Sequence, residues 1–144
     1  GEAVELVDVV DAVRAALPEA ERERVHAEID GEPIVRGDPE LLRAMIHNAI
    51  DNALKFSRER VDVRIHGDER VVIDVIDRGP GIPASERDAV FAAFYRRADT
   101  RGTPGHGIGL ALIAHVAAAH DGHAELVDAK LGAHLQITLP RWAE

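Results

Sequence analysis

Three groups of residues in this chain have the types and spacing to do chemistry, and each suits one part of a nucleotide. Gly105, Gly107 and Gly109 alternate in Gly105-His-Gly-Ile-Gly-Leu110, just ahead of an Ala- and Leu-rich stretch. Glycines so spaced let backbone N–H groups turn toward one point, and a following helix adds the positive end of its dipole, so phosphate oxygens are the natural guest. The spacing is neither the G-x-G-x-x-G of a dinucleotide fold nor a P-loop ending in Lys-Ser/Thr. Asp77-Arg-Gly-Pro-Gly81 follows an apolar run. A carboxylate at a strand end accepts a hydrogen bond from an exocyclic amine such as that of adenine, where guanine would present an oxygen. Gly79 and Gly81 would let the loop backbone approach base and ribose closely. Asn48, Asn52 and Lys55 recur at helical spacing. Asn52 offers a neutral amide oxygen to a magnesium ion held mostly by phosphates and water, and Lys55 brings a point charge. Taken singly, each group has a plainer reading. A glycine cluster is more often a turn, an Asp at a strand end often caps one, and polar residues flank many half-buried helices.

The elements that must position these residues can be read from pattern. Asp38-Pro39 predicts a helix start, the Asp capping free N–H groups and the proline standing where no donor is missed. Leu41, Leu42, Met45, Ile46, Ala49, Ile50, Ala53 and Leu54 then form a wide apolar stripe, with Asn48, Asn52 and Lys55 beside it. Residues 6–17 predict a shorter amphipathic helix ended by Pro18, and Val25–Ile29 with Pro33–Arg36 predict a hairpin turned at Asp30-Gly31. Residues 61–65 and 71–76 predict two paired strands running into the Asp77 loop. Ser85 is expected to cap a short helix through Phe91 and Phe94. Residues 98–106 predict a mobile loop that could serve as a lid, 108–120 a helix ended at Asp121-Gly122, and 124–127 and 134–139 the last two strands.

Composition narrows the class. The 144 residues are 46% hydrophobic and 30% charged, which fits one soluble globular domain over 1–144. With no cysteine, disulfide scaffolds, thiolate zinc sites and cysteine nucleophiles are excluded. A formal charge of −9, from 26 acids and 17 bases, argues against a general nucleic-acid binder. Lys55, Arg58 and Arg60, and separately Arg96, Arg97 and Arg101, still leave local basic spots for a smaller anion. No apolar run approaches the ~18 residues of a membrane span, so no membrane contact is expected of this stretch.

The order Asn48-x-x-x-Asn52-Ala-x-Lys55-Phe56, Asp77-x-Gly-x-Gly81, Phe91-x-x-Phe94-Tyr95-Arg96 and Gly105-x-Gly-Ile-Gly-Leu110 resembles the N, G1, F and G2 boxes of the catalytic ATP-binding domain of two-component sensor histidine kinases. The resemblance runs from Asp38 to Pro140, and four boxes in order are far more specific than any one. It implies an α+β, Bergerat-type fold, a two-layer α/β sandwich whose mixed, mostly antiparallel sheet carries three main helices on one face. ATP would lie between helices under a lid. The same resemblance implies Asn52 as the magnesium ligand, Asn48 and Lys55 near the phosphates, Asp77 on the adenine amine, and Phe56, Gly79, Gly81 and Ile82 around the base. Gly105, His106, Gly107, Ile108, Gly109 and Leu110 would surround the phosphates, Phe91 and Phe94 would anchor the lid, and Arg96 or Arg97 would reach the γ-phosphate. The implied catalytic set is therefore Asn48, Lys55, Arg96 and Arg97. Two positions depart from the pattern: His106 stands where a small hydroxyl residue is frequent, and Ala133 follows Gly132 where Thr or Ser is.

Related ATPases of this fold carry Glu where Asn48 stands, and an amide cannot serve as a base, so the position favours transfer to a supplied nucleophile over hydrolysis. None of the eight histidines has the context of a phosphoacceptor; they read as surface or helix residues. The resemblance thus places a phosphoacceptor and dimerisation domain N-terminal to Gly1, with any sensor and membrane segments. The expected function is binding of Mg²⁺ and ATP, phosphorylation of a histidine on that domain, and onward transfer to a response-regulator aspartate. This chain alone would be a cytoplasmic monomer that does not autophosphorylate, and the full-length protein a homodimer anchored in a bacterial cell membrane. The alternatives are an anti-sigma-factor-type serine kinase and a nucleotide-dependent interaction module without phosphate transfer.

Overall fold

A computed structural model describes residues 1–92 and 109–143. In chain order these form β1 (Glu2–Glu5), α1 (Leu6–Ala15), α2 (Glu19–Arg24), β2 (Val25–Gly31), β3 (Ile34–Gly37), α3 (Pro39–Lys55), β4 (Val61–Gly67), β5 (Arg70–Ile76), two short 3-10 turns (Ala84–Glu86 and Ala89–Phe91), α4 (Gly109–Ala119), β6 (His123–Val127) and β7 (His134–Pro140). Five strands make one sheet in the order β2-β4-β5-β7-β6, and β1 and β3 make a separate antiparallel pair. Within the larger sheet β2 and β4 are parallel and the other neighbours antiparallel.

Alternation along the central strands divides the sheet into two faces. Val61, Val63, Ile65, Val71, Ile73, Val75, Leu135, Ile137 and Leu139 are all buried, and they form one core with Leu6, Val10 and Val13 of α1, Leu42, Met45, Ile46, Ala49 and Ile50 of α3, and Ile113, Val116 and Ala117 of α4. Three helices therefore cover one face, as the resemblance implies. The other face is polar. Its centre is Asp74, itself buried, whose Oδ1 accepts from Gln136 Nε2 at 2.9 Å and meets His134 Nε2 at 2.7 Å. His134 is thus a strand residue locked to a buried carboxylate rather than a free surface or helix histidine.

The hairpin expected at Asp30-Gly31 does not form. β2 runs beside β4 from Val25↔Val61 to Gly31↔Gly67, while β3 pairs with β1. Pro33 supplies no N–H, and the Ile34 N–H is taken locally by the Glu32 carbonyl at 2.9 Å, so the chain leaves the sheet at the point where a hairpin would have turned back. Gly31, at φ +74, lies against the Gly67 carbonyl, which a Cβ there would meet at 2.9 Å. The helix expected from Ser85 is replaced by the two 3-10 turns, and Ser85 lies inside the first instead of capping it. Pro83, with its fixed φ, starts that turn two residues earlier.

Candidate functional site

α3 is the spine of the site. Asp38 Oδ1 accepts the N–H groups of Glu40 at 2.9 Å and Leu41 at 3.3 Å, and Pro39 follows, so the helix starts where the sequence predicts. Seven of the eight residues of its apolar stripe are buried, Leu41 at the start being exposed, which fixes the rotation of the helix and brings Asn48, Asp51, Asn52 and Lys55 onto a flank that is only partly covered. Asn48 Nδ2 donates to the Ala44 carbonyl at 2.7 Å, and its Oδ1 stands 3.3 Å from where a Cβ on Gly109 would be. The first residue of α4 therefore packs on the middle of α3. Among the described residues Asn52 makes no side-chain hydrogen bond, and Lys55 Nζ pairs with Asp51 Oδ2 at 2.9 Å, four residues back on the same flank.

At its C-terminal end α3 meets the Asp77 loop. Phe56 ends the helix, its N–H donating to the Asn52 carbonyl at 3.2 Å, and its own carbonyl lies so close to Gly79 that a side chain at 79 would overlap it. Asp77, 5% exposed, follows the last residue of the central strand β5. Its Oδ1 accepts the N–H groups of Gly79 at 2.9 Å and Ala133 at 3.0 Å, and its own N–H donates to the Ala133 carbonyl at 3.0 Å. Gly81, at φ +76, faces the Gly132 carbonyl, which a Cβ would meet at 2.7 Å; Gly132, at φ +67, lies against Asp77 so closely that a side chain would overlap its carbonyl. Both positive φ values suit glycine alone. The loop is also tied laterally. Arg87 Nε donates to the Ile82 carbonyl at 3.4 Å and Arg87 Nη1 to Asp128 Oδ1 at 2.6 Å, joining the Asp77 loop to the β6–β7 connection.

Asn48 stands beside Gly109 in the middle of α3, Asn52 and Lys55 follow it along the same flank toward the helix end, and there Phe56 meets Gly79, with Asp77, Gly81 and Ile82 in the loop beyond. From Asn48 to Phe56 the flank runs about 12 Å. Phe91 packs on the core. Phe94, Arg96, Arg97, Gly105, His106, Gly107 and Ile108 lie outside the described residues. Three residues of the site were not among the sequence candidates. Gly132 is a third glycine at the Asp77 loop, to which the resemblance gave a place in the pattern before Ala133 but no role at the site. Arg87 gives no local signal. Asp51 is signalled by its four-residue spacing to Lys55.

With this geometry in hand, residues 37–143 match the family of histidine kinase-, DNA gyrase B- and HSP90-like ATPases. The chain belongs to this family. Within it, the chain is similar to the signal transduction histidine-protein kinase/phosphatase MprB of Mycobacterium bovis, 40% identical over 140 residues that make up 92% of this chain and 28% of that protein. The counterpart from Mycolicibacterium smegmatis is 38% identical over 125 residues, 82% of this chain and 25% of that one. Among solved structures, the mycobacterial sensor histidine kinase MprB superposes with a TM-score of 0.81 at 30% identity, covering 99% of both chains. The ATP binding domain of PrrB from Mycobacterium tuberculosis superposes with a TM-score of 0.77 at 30% identity, covering 98% of this chain and 97% of that one. The histidine kinase ATPase domain described here spans about a quarter of the length of the curated relatives it matches. None of its described helices is long and apolar enough to cross a membrane.

Proposed function

We propose that this domain binds ATP with Mg²⁺ and presents the γ-phosphoryl group to a histidine on a separate dimerisation domain, from which a response-regulator aspartate receives it. The observation that carries the reading is Asp77, a buried carboxylate pinned at the end of the central strand by two backbone N–H groups and surrounded by glycines. A carboxylate so fixed selects a base bearing an amine donor, which favours adenine over guanine. Phe56 and Ile82, both half-buried, would supply apolar walls for the ring, with Gly79 and Gly81 beside it.

Further along the flank of α3, Asn52 fits a magnesium ion that is held chiefly by phosphates and water. Its amide is half-buried and has no hydrogen-bond partner among the described residues, where no cluster of three or more His, Asp or Glu competes for the ion. When bound, the ion supplies charge neutralisation on the polyphosphate. Asn48 and Lys55 would orient the phosphates, and Gly109 and Leu110 would open the helix that faces them. Asn48 offers no carboxylate base for water, so transfer to a supplied nucleophile is favoured over hydrolysis. The sequence adds Gly105, His106, Gly107 and Ile108 to the phosphate end and Arg96 or Arg97 to the γ-phosphate. Similarity to a histidine-protein kinase/phosphatase and to an ATP binding domain supports the same assignment. In the full-length protein this domain would be cytoplasmic, in a homodimer anchored to the cell membrane.

Calorimetric titration tests the reading. ATP should bind the wild type in a magnesium-sensitive way, GTP should give no response, and Asp77→Asn should abolish ATP binding while the chain stays folded. A folded wild type that binds no ATP would overturn the proposal and leave the interaction module as the better account. Labelled ATP with a matching phosphoacceptor domain should then yield acid-labile phosphohistidine; acid-stable phosphoserine on a partner would point to the serine kinase instead.

A further inference from the structure

Asp51 stands on the same flank of α3 as Asn48, Asn52 and Lys55, and its carboxylate already pairs with the lysine of that flank: Asp51 Oδ2 lies 2.9 Å from Lys55 Nζ. The two side chains are 36% and 42% exposed, so neither is locked by burial and the pair is free to exchange partners. A polyphosphate arriving beside Asn48 and Asn52 would meet a lysine whose charge is spoken for and a carboxylate of its own sign. We propose that Asp51 is the resident counter-ion of Lys55 and thereby sets which charge state of a nucleotide the site accepts. It holds the ammonium in the free chain, gives it up when phosphates bind, and then opposes those phosphates in proportion to their charge. The inference rests on the reading of Lys55 as a phosphate-binding residue. Metal-free ATP carries about four negative charges and feels the opposition fully; magnesium neutralises two of them and relieves about half of it. Asp51 therefore makes the site prefer the metal-bound nucleotide over the free one, and it does so through Lys55 and the phosphates without touching the base.

The test is calorimetric titration of the 144-residue chain, comparing wild type, Asp51→Asn and Asp51→Glu with ATP in EDTA, ATP with excess Mg²⁺, and adenosine. Asp51→Asn should bind metal-free ATP about three- to tenfold more tightly than wild type, with a smaller gain of about two- to threefold for the magnesium complex and none for adenosine. Asp51→Glu keeps a carboxylate four residues before Lys55 and should return wild-type values. The gain in Asp51→Asn should shrink as salt is raised. Unchanged or weaker binding of metal-free ATP by Asp51→Asn would overturn the role of Asp51, as would an equal gain for adenosine, which would mark a structural effect. A wild type that fails to bind ATP under any of these conditions would overturn the reading of the site as well, so the two failures are distinct.

Discussion

The two ends of α3 are held by opposite means. At the N-terminal end Asp38 takes up two free N–H groups of the helix, and His120 at the end of α4 accepts the Asp38 N–H at Nε2 (3.2 Å) while its Nδ1 meets the Val116 carbonyl at 2.8 Å. That pairing uses the imidazole in one tautomer, with Nδ1 donating. Gly37 leaves room for the ring. The polar groups at this end find their partners within the chain. At the C-terminal end, among the described residues, Asn52 has no side-chain hydrogen bond and Lys55 pairs with an exchangeable carboxylate, and the helix stops against the Asp77 loop. One end of the helix anchors, and the other is left available to a ligand. Half-exposed polar side chains without fixed partners cost little, because water satisfies them, and they are the groups a ligand can recruit.

The sharpest way to break this comparison is to add one methyl group at each end. At Gly79 a Cβ would overlap the Phe56 carbonyl, which is backbone and cannot swing aside. Gly79→Ala should cost about 3 kcal/mol, read as a lowered urea midpoint with unchanged slope, and should displace the Asp77 loop enough to abolish ATP binding. At Gly37 the same methyl would overlap the His120 ring, a side chain that can rotate away. Gly37→Ala should cost about 1–2 kcal/mol, chiefly the acceptor lost by the Asp38 N–H, and leave ATP affinity within about twofold of wild type. Equal losses of ATP binding at both positions would refute the division into an anchoring and a binding end.

How far the sequence foretold this arrangement differs from element to element. α3 was legible along its length, because its signals are local: a capping Asp, a proline at the first position and an apolar stripe of which seven residues are buried and Leu41 alone of the eight is exposed. The Asp77 loop was legible for the same reason, since glycines and prolines after an apolar run are tolerated by no helix or strand interior. The β2–β3 hairpin failed because Asp30-Gly31 marks a break without naming the partner strand, and the edge of β4, far along the chain, competes for β2. α2 has no buried residue and β1 has one, so neither carries a periodicity to read. Gly132 became a site residue only when β7 paired with β5 and set it against Asp77. His134 likewise gained its role from register, two strands meeting at Asp74.

A smaller effect sharpens the anchoring half of the comparison. Asp38→Ala removes the side-chain acceptor of two N–H groups and should cost about 1 kcal/mol. The loss should appear in thermal or urea unfolding and not in the dissociation constant for ATP, since the cap lies more than three turns from Asn52. A cap loss that weakened ATP as much as it weakened the fold would mean that the helix transmits strain along its length.

The smallest expected change in stability still carries a functional consequence. Asn52 is half-buried and has no side-chain hydrogen bond among the described residues, so Asn52→Ala should leave stability within about 0.5 kcal/mol of wild type. Alanine also raises helix propensity at that position, which offsets any packing lost. Yet the amide oxygen is the group assigned to magnesium, and without it ATP should bind equally with and without the ion. The measurement pairs a urea melt with two calorimetric titrations of the same sample. A variant that is destabilised by 2 kcal/mol or more would show that Asn52 belongs to the core rather than to the ligand, and one that keeps its magnesium dependence would move the ion to another oxygen. Retained stability with lost magnesium dependence is the outcome that separates a residue kept for its ligand from one kept for the fold.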